Sequence, residues 1–326
     1  MHLDDRIWSG DHDEIPIRQG FGEGLLEAGR GDERVVALCS DLTGSTKMNL
    51  FRDAFPDRFF ETGIAEQSMA SVASGLAAMG RTPFISSYAM FSPGRNWEQI
   101  RTTICYNNVP VVVVGSHAGI SVGPDGGTHQ AIEDIAITRV IPRMNVVVPC
   151  DSIDAKKATL ALAALRRPAY LRLAREATPV VTTAETPFDI GKARIFFRPD
   201  GTADVGLIVA GTLTHNAIKA AHELESENIR VRVMNLATIK PIDRDAIIKL
   251  AQDTGHIVTI EEHQVAGGLG SAVAEVLAET VPVPIRFIGV RDTFGQSGEP
   301  AELLTHYGMD IKAIKHAIRD ILGRVS

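Results

Sequence analysis

The chain has 326 residues, 44% of them hydrophobic, and a net charge of -7 spread along its length. That suits about two domains, each with enough apolar residues for a core. No basic block interleaves with aromatic residues, which argues against a nucleic-acid partner, and the most apolar run, 109–115, is far too short to span a membrane.

Cys39, Cys105 and Cys150 are odd in number and widely separated, so they read as reduced core thiols, not as a disulfide framework or a zinc knuckle. The first fifteen residues are polar and charged, unlike an export signal, and the expected location is the cytoplasm.

Apolar runs alternate with helical patterns throughout, which predicts layered α/β domains with largely parallel sheets. Short buried strands are expected at 35–38, 82–85, 111–115, 146–148 and 170–173. Helices fit at 21–28, 64–79, 97–105 and 153–165. A stretch rich in Thr, Pro and Ala at 178–188 breaks the rhythm and reads as a linker. It divides the chain into domains at 1–180 and 191–326 with 181–190 between. The second domain is predicted to carry strands at 207–210, 231–236, 257–261 and 285–288, with helices at 216–225, 246–252 and 271–280. EEH at 261–263 and AGGLG at 266–270 lack the GxGxxG order and read as a close strand-to-helix turn.

Chemistry concentrates in the first domain. In the helix at 64–79, Thr62 is placed to cap the N-terminus. Ala65, Met69, Val72, Leu76 and Met79 form an apolar stripe, while Ala70, Ala73 and Ala77 form a face of small residues headed by Glu66. A carboxylate there is either a first-turn acid stabilised by the helix dipole or a buried group at a tight contact. The loop GSHAGISVGPDGGTHQ, 115–130, follows the most hydrophobic strand and carries five glycines, His117, Asp125 and His129. At the carboxyl end of a parallel strand such a loop faces the crevice where these sheets bind ligands; the alternative is a solvated turn. Arg18 and Arg175 fall near predicted element ends, where a guanidinium fork suits a phosphate or forms a surface ion pair. Ser45, in DLTGST, offers a donor or a helix cap, and Phe91 a flat face or a core side chain.

Taken in order, DLTGST, PDRFFETGIAEQSM, RTPFISSYAMF, EQIR, GSHAGISVGPDGGTHQ, IEDIA, TIKPID, EEH with GGLG, and SGEPAELL resemble the C-terminal half of transketolase across nearly the whole chain. The resemblance implies a pyrimidine-binding domain followed by a transketolase C-terminal domain, with thiamine diphosphate as cofactor. It implies that Glu66 is catalytic, hydrogen-bonding the aminopyrimidine ring, and that Phe91 stacks on that ring, although SPGR carries one residue more than the usual spacing before Arg95. It places Arg18, Ser45, His117 and Arg175 on the phosphate of a sugar phosphate, Asp125 on the substrate's C2 hydroxyl, and His129 as a catalytic donor near the ketose carbonyl.

Transketolases hold the diphosphate through Mg²⁺ with a GDG motif and a downstream Asn, and this sequence contains no GDG. With a methionine standing just before the pyrimidine-binding domain, the expectation is a split enzyme: this chain holds no metal, an N-terminal subunit supplies the Mg²⁺ site, and an α2β2 heterotetramer forms. The alternatives are the β component of a 2-oxoacid dehydrogenase, a deoxyxylulose-phosphate synthase-like subunit and a non-catalytic partner.

Overall fold

The computed structural model describes residues 2–324. The first half runs β1 (Glu14–Pro16), α1 (Ile17–Gly31), β2 (Val35–Cys39), α2 (Asn49–Ala54), β3 (Phe59–Glu61), α3 (Glu66–Ala78), β4 (Thr82–Tyr88), α4 (Trp97–Gln99), β5 (Val112–Ser116), α5 (Asp134–Arg139), β6 (Asn145–Val147), α6 (Ser152–Leu165), β7 (Ala169–Arg172) and β8 (Ala177–Pro179). The second half runs β9 (Arg194–Phe197), β10 (Val205–Val209), α7 (Thr214–Glu225), β11 (Val231–Asn235), β12 (Thr238–Lys240), α8 (Arg244–Thr254), β13 (Ile257–Gln264), α9 (Leu269–Ala278), β14 (Ile285–Val290), α10 (Pro300–His306) and α11 (Ile311–Ile321).

Two helix-covered sheets result, one of seven strands in the order β12-β6-β7-β5-β4-β2-β3 and one of five in the order β14-β13-β10-β11-β9. Pairing within each is parallel except at one edge, β12 and β9 respectively. Strands such as β2 and β5 are buried at every residue, which is why they read as unbroken apolar runs. A small antiparallel pair, β1 with β8, ties the two ends of the first half together. Among the described residues no helix is long and apolar enough to cross a membrane.

The predicted core strands and long helices are present, with edges shifted by a few residues. Three local readings are corrected. Thr62 does not cap α3, which starts after Ala65 with no side-chain cap; the Thr62 hydroxyl instead donates to Cys39 O at 3.0 Å. The helix expected at 97–105 is a short α-turn that widens into a π-helix at Ile100–Cys105. There the hydroxyls of Thr102 and Thr103 donate to carbonyls four residues back, at 2.9 and 2.6 Å, a competition that loosens helical bonding. The apolar stripe of α3 is only partly inward: Met69 is buried with the alanine face, whereas Val72 and Met79 are exposed.

The halves are joined by more than the linker. β12 leaves the second half to pair with β6 of the first sheet. Arg194 on β9 is buried against Asp154 of α6 and donates to Asn235 at 2.6 Å, while Arg172 on β7 pairs with Asp134 at 2.8 Å and donates to Glu262 O at 2.8 Å. Each guanidinium is matched by a carboxylate and carbonyls, the condition under which a buried charge is tolerated.

Candidate active site

The side chains gather at the carboxyl ends of the parallel strands β4, β5 and β7. One corner is built on Glu66, the first residue of α3 and only 3% exposed. Its carboxylate accepts from Ser87 Oγ at 3.3 Å and from Arg95 Nη1 at 3.2 and 3.4 Å. Asn96 donates to its backbone carbonyl at 3.2 Å and fixes the start of the helix. These bonds are long and leave lone pairs on the carboxylate for a further donor. Phe91, in the turn after β4, lies beside it: the Arg95 guanidinium sits 4.3 Å over the Phe91 ring while reaching Glu66. The buried acid and the aromatic face thus together hold a flat, donor-bearing cation.

From Phe91 an aromatic row leads across the strand ends. Phe91 meets His129 edge-on at 5.4 Å and Tyr88 at 6.2 Å, and Tyr88 stacks on His117 at 3.9 Å. His117 has a positive φ of 56° at the turn out of β5 and is buried. Its Nε2 lies 2.8 Å from Arg18 Nη1 and its Nδ1 2.8 Å from Ser116 Oγ. A guanidinium can only donate, so Nε2 is the acceptor and the ring proton sits on Nδ1, donating to Ser116. Burial, reinforced by the charges of Arg18 and Arg175 and by His129, pushes the imidazole down to about 3, so it is neutral at physiological pH.

The far corner is cationic. Burial, with the nearby Arg175 charge adding to it, pushes the Arg18 guanidinium below its ordinary value. Among the described residues Arg18 Nε is buried without a partner. Arg175, just beyond β7, donates to Val122 O at 2.6 Å and lies 3.6 Å from Asp125. Two guanidiniums close enough to repel, one with an unused donor, form a place where an anion relieves the strain.

Glu66, Phe91, His129, His117, Arg18, Arg175 and Asp125 are therefore brought together. Ser45 lies in the turn after β2 at the same edge of the sheet, half-buried, and no hydrogen bond links it to the cluster among the described residues. Sequence reasoning missed Tyr88, which packs His117 against Phe91, and the grip of Ser87 and Arg95 on Glu66. Tyr88 ends a strand one turn before Phe91, a signal that was legible; Ser87 carried none. The EEH–GGLG turn is as close as expected, since Glu261 accepts from Leu269 N and Gly270 N at 2.6 and 2.9 Å. Among the described residues no group of three or more His, Cys, Asp and Glu side chains is placed to hold a metal ion. The cluster is a shelf with Asp125 and Arg95 open to solvent, distinct from the hollow of about 460 Å³ between α1 and α6.

The family model described as transketolase, pyrimidine binding domain matches residues 13–180, and that described as transketolase, C-terminal domain matches 191–314. The 6-deoxy-6-sulfo-D-fructose transketolase subunit SqwH of Clostridium sp. (strain MSTE9) is 38% identical over 94% of this chain and 95% of its own length. An apulose-4-phosphate transketolase subunit of Phocaeicola vulgatus is 38% identical over 92% and 95%. Human transketolase is 36% identical over 96% of this chain but only 50% of its own length. Among solved structures, a split-gene transketolase described as an inactive β4 tetramer superposes with a TM-score of 0.88 at 41% identity, covering 95% of this chain and 99% of that one.

Proposed function

The chain belongs to the transketolase family, and on that premise we propose that it is the C-terminal subunit of a split transketolase. Joined by an N-terminal-half subunit, it transfers a two-carbon ketol unit from a ketose phosphate to an aldose phosphate. The observation that carries this reading is the continuous row from an acid–aromatic corner, Glu66 with Phe91, to a paired-guanidinium corner, Arg18 with Arg175.

The first corner fits thiamine diphosphate, because Glu66 and Phe91 already grip a planar, donor-bearing group in the guanidinium of Arg95. When bound, that cofactor supplies the carbon nucleophile that the protein's own side chains lack. Glu66 would hydrogen-bond the ring nitrogen, sharing a proton with it, and burial would strengthen that bond by excluding water. Phe91 supports the ring face. Arg18 and Arg175, with Ser45 contributing a donor, bind the sugar's phosphate, and His117, neutral and accepting from Arg18 through Nε2, lines that corner and orients the guanidinium without adding a charge. Asp125 accepts from the substrate's hydroxyl and His129 donates near its carbonyl, orienting the reacting carbon. The relatives named for a sulfo-sugar and for a sugar phosphate share an anionic sugar end, which suits the guanidinium pair.

The sequence carries no GDG motif, so Mg²⁺ and the diphosphate are assigned to the partner, in an α2β2 assembly. Exposed apolar side chains support a docking role: Ile64, two residues before Glu66, is 73% exposed, and Val72 on α3 and Met79 at its end are 49% and 83% exposed. The test is to assay the purified chain alone and after mixing with a GDG-bearing subunit. Cofactor binding and ketol transfer should need both; full activity from this chain alone refutes the proposal.

A further inference from the structure

We propose that the second domain is a working part of the site: Glu262 on β13 and Gln130 are positioning residues that hold the glycine-rich loop, and with it Asp125 and His129, against the phosphate corner. The proposal deepens the function given above and rests on it. Residues 117–130 include a single 3₁₀ segment at Ile120–Asp125, broken by Gly123 at φ 79° and ψ −118°. A segment so irregular does not order itself, since fixing each residue costs roughly 1–2 kcal/mol.

Besides Arg175, which donates to Val122 O, the loop is tied to the other half of the chain. Glu262 is buried; its carboxylate accepts from Ser121 N–H within the loop and from the Thr212 hydroxyl at 3.3 Å. Gln130, also buried, donates through Nε2 to Ile120 O and to Gln296 O, both at 2.9 Å, closing the loop on itself and onto the segment after β14. Arg172 then spans Ala131 O at 3.2 Å and Glu262 O at 2.8 Å.

The glycine backbones at the seam lie so close to the Glu262 and Gln130 side chains that no Cβ fits between them. A Cβ on Gly119 (φ +94°) would lie 2.4 Å from Glu262 Oε1, and one on Gly295 would lie 1.8 Å from Gln130 Oε1. Glu262 and Gln130 reach the loop through its backbone, at Ser121 N–H and Ile120 O, and not through the Asp125 carboxylate or the His129 ring. Their effect should fall on substrate, whereas Glu66 and Phe91, carried by α3 and the turn after β4, should keep their hold on cofactor.

Isosteric substitutions separate this role from simple packing. Glu262→Gln retains an acceptor for Ser121 N–H; Glu262→Ala removes it. Gln130→Glu keeps the shape but turns acceptor oxygens toward two carbonyls. In the enzyme assembled with its GDG-bearing partner, Glu262→Ala and Gln130→Glu should lower kcat/KM for the ketose phosphate by about 10- to 100-fold, with cofactor affinity within about twofold of wild type. Glu262→Gln should stay within about threefold.

In the full-length chain without partner, hydrogen exchange across 117–130 should quicken at least about tenfold in Glu262→Ala, with peptides of α3 and β4 unaffected. Unchanged kcat/KM in both damaging variants, equal damage from Glu262→Gln, cofactor affinity falling in step, or unaltered exchange overturns the proposal. If Glu262→Ala does not fold, Thr212→Val and Gln130→Glu decide it: loss of kcat/KM with cofactor affinity retained supports the clamp, and wild-type values in both refute it. Should the wild-type assembly show no ketol transfer, the functional reading fails by itself and the exchange measurement still judges the clamp.

Discussion

Replacing Glu66 with Gln keeps the size of the side chain and removes its charge and its capacity to hold a proton. The structural cost is small. Ser87 can still donate to the amide oxygen, and the ion pair lost is with Arg95, whose side chain is 51% exposed. Such a pair contributes at most about 1 kcal/mol, a melting shift of about 1–2 °C for a chain of this length. The catalytic cost is large, because hydrogen bonds to a charged group contribute about 1.5–3 kcal/mol and each 1.4 kcal/mol is a factor of ten in rate. With the proton function also gone, turnover should fall at least about 100-fold, and Glu66→Ala should abolish it without unfolding the chain. The assay is steady-state ketol transfer by the assembled enzyme at saturating cofactor, with thermal melts of each variant. Turnover within a few-fold of wild type would remove the proposed role of Glu66; a collapse of the melt would make the acid a structural residue.

Arg175→Ala should raise KM for phosphorylated sugars about tenfold or more with kcat less affected, and an unchanged KM rejects the phosphate corner. His117 is neutral when folded, at about 3 against 6.5 for free imidazole, so the unfolded chain takes up the proton first as pH falls. Its contribution to stability is intact above pH 6.5 and declines toward pH 3 at about 1.4 kcal/mol per unit. His263 and His215, both pushed to about 4 mainly by burial, act in the same sense, while Glu261, raised to about 7 by burial, acts oppositely between pH 4.5 and 7. Denaturant unfolding of wild type and His117→Gln at pH 7 and 5 isolates the His117 part: the variant should lose less stability, and equal losses contradict a neutral His117. Asp154→Ala leaves Arg194 buried without its carboxylate and should lower stability by about 3–5 kcal/mol, read by denaturant midpoint; a smaller loss than that of an exposed pair such as Arg286–Asp320 would refute the view that this contact joins the halves.

The sequence by itself determined the two layered domains, because strands buried on both faces, β2 and β5 among them, must be written as apolar runs. It also singled out candidates, Glu66 at a helix start, His117, Asp125 and His129 in one glycine-rich loop, and Arg18 and Arg175 at element ends; residue type and spacing left each a structural alternative, and the order of the motifs together carried the family resemblance that proposes their roles. Only the tertiary structure decided which face of α3 is buried, since Val72 and Met79 satisfy the same periodicity as Met69 and lie outward. Tertiary folding alone also decided that β12 joins the first sheet and that Glu262 reaches Ser121, a contact spanning 141 positions. Hydrogen bonds of that range follow from how sheets are ordered and stacked, and sequence periodicity carries information only within an element.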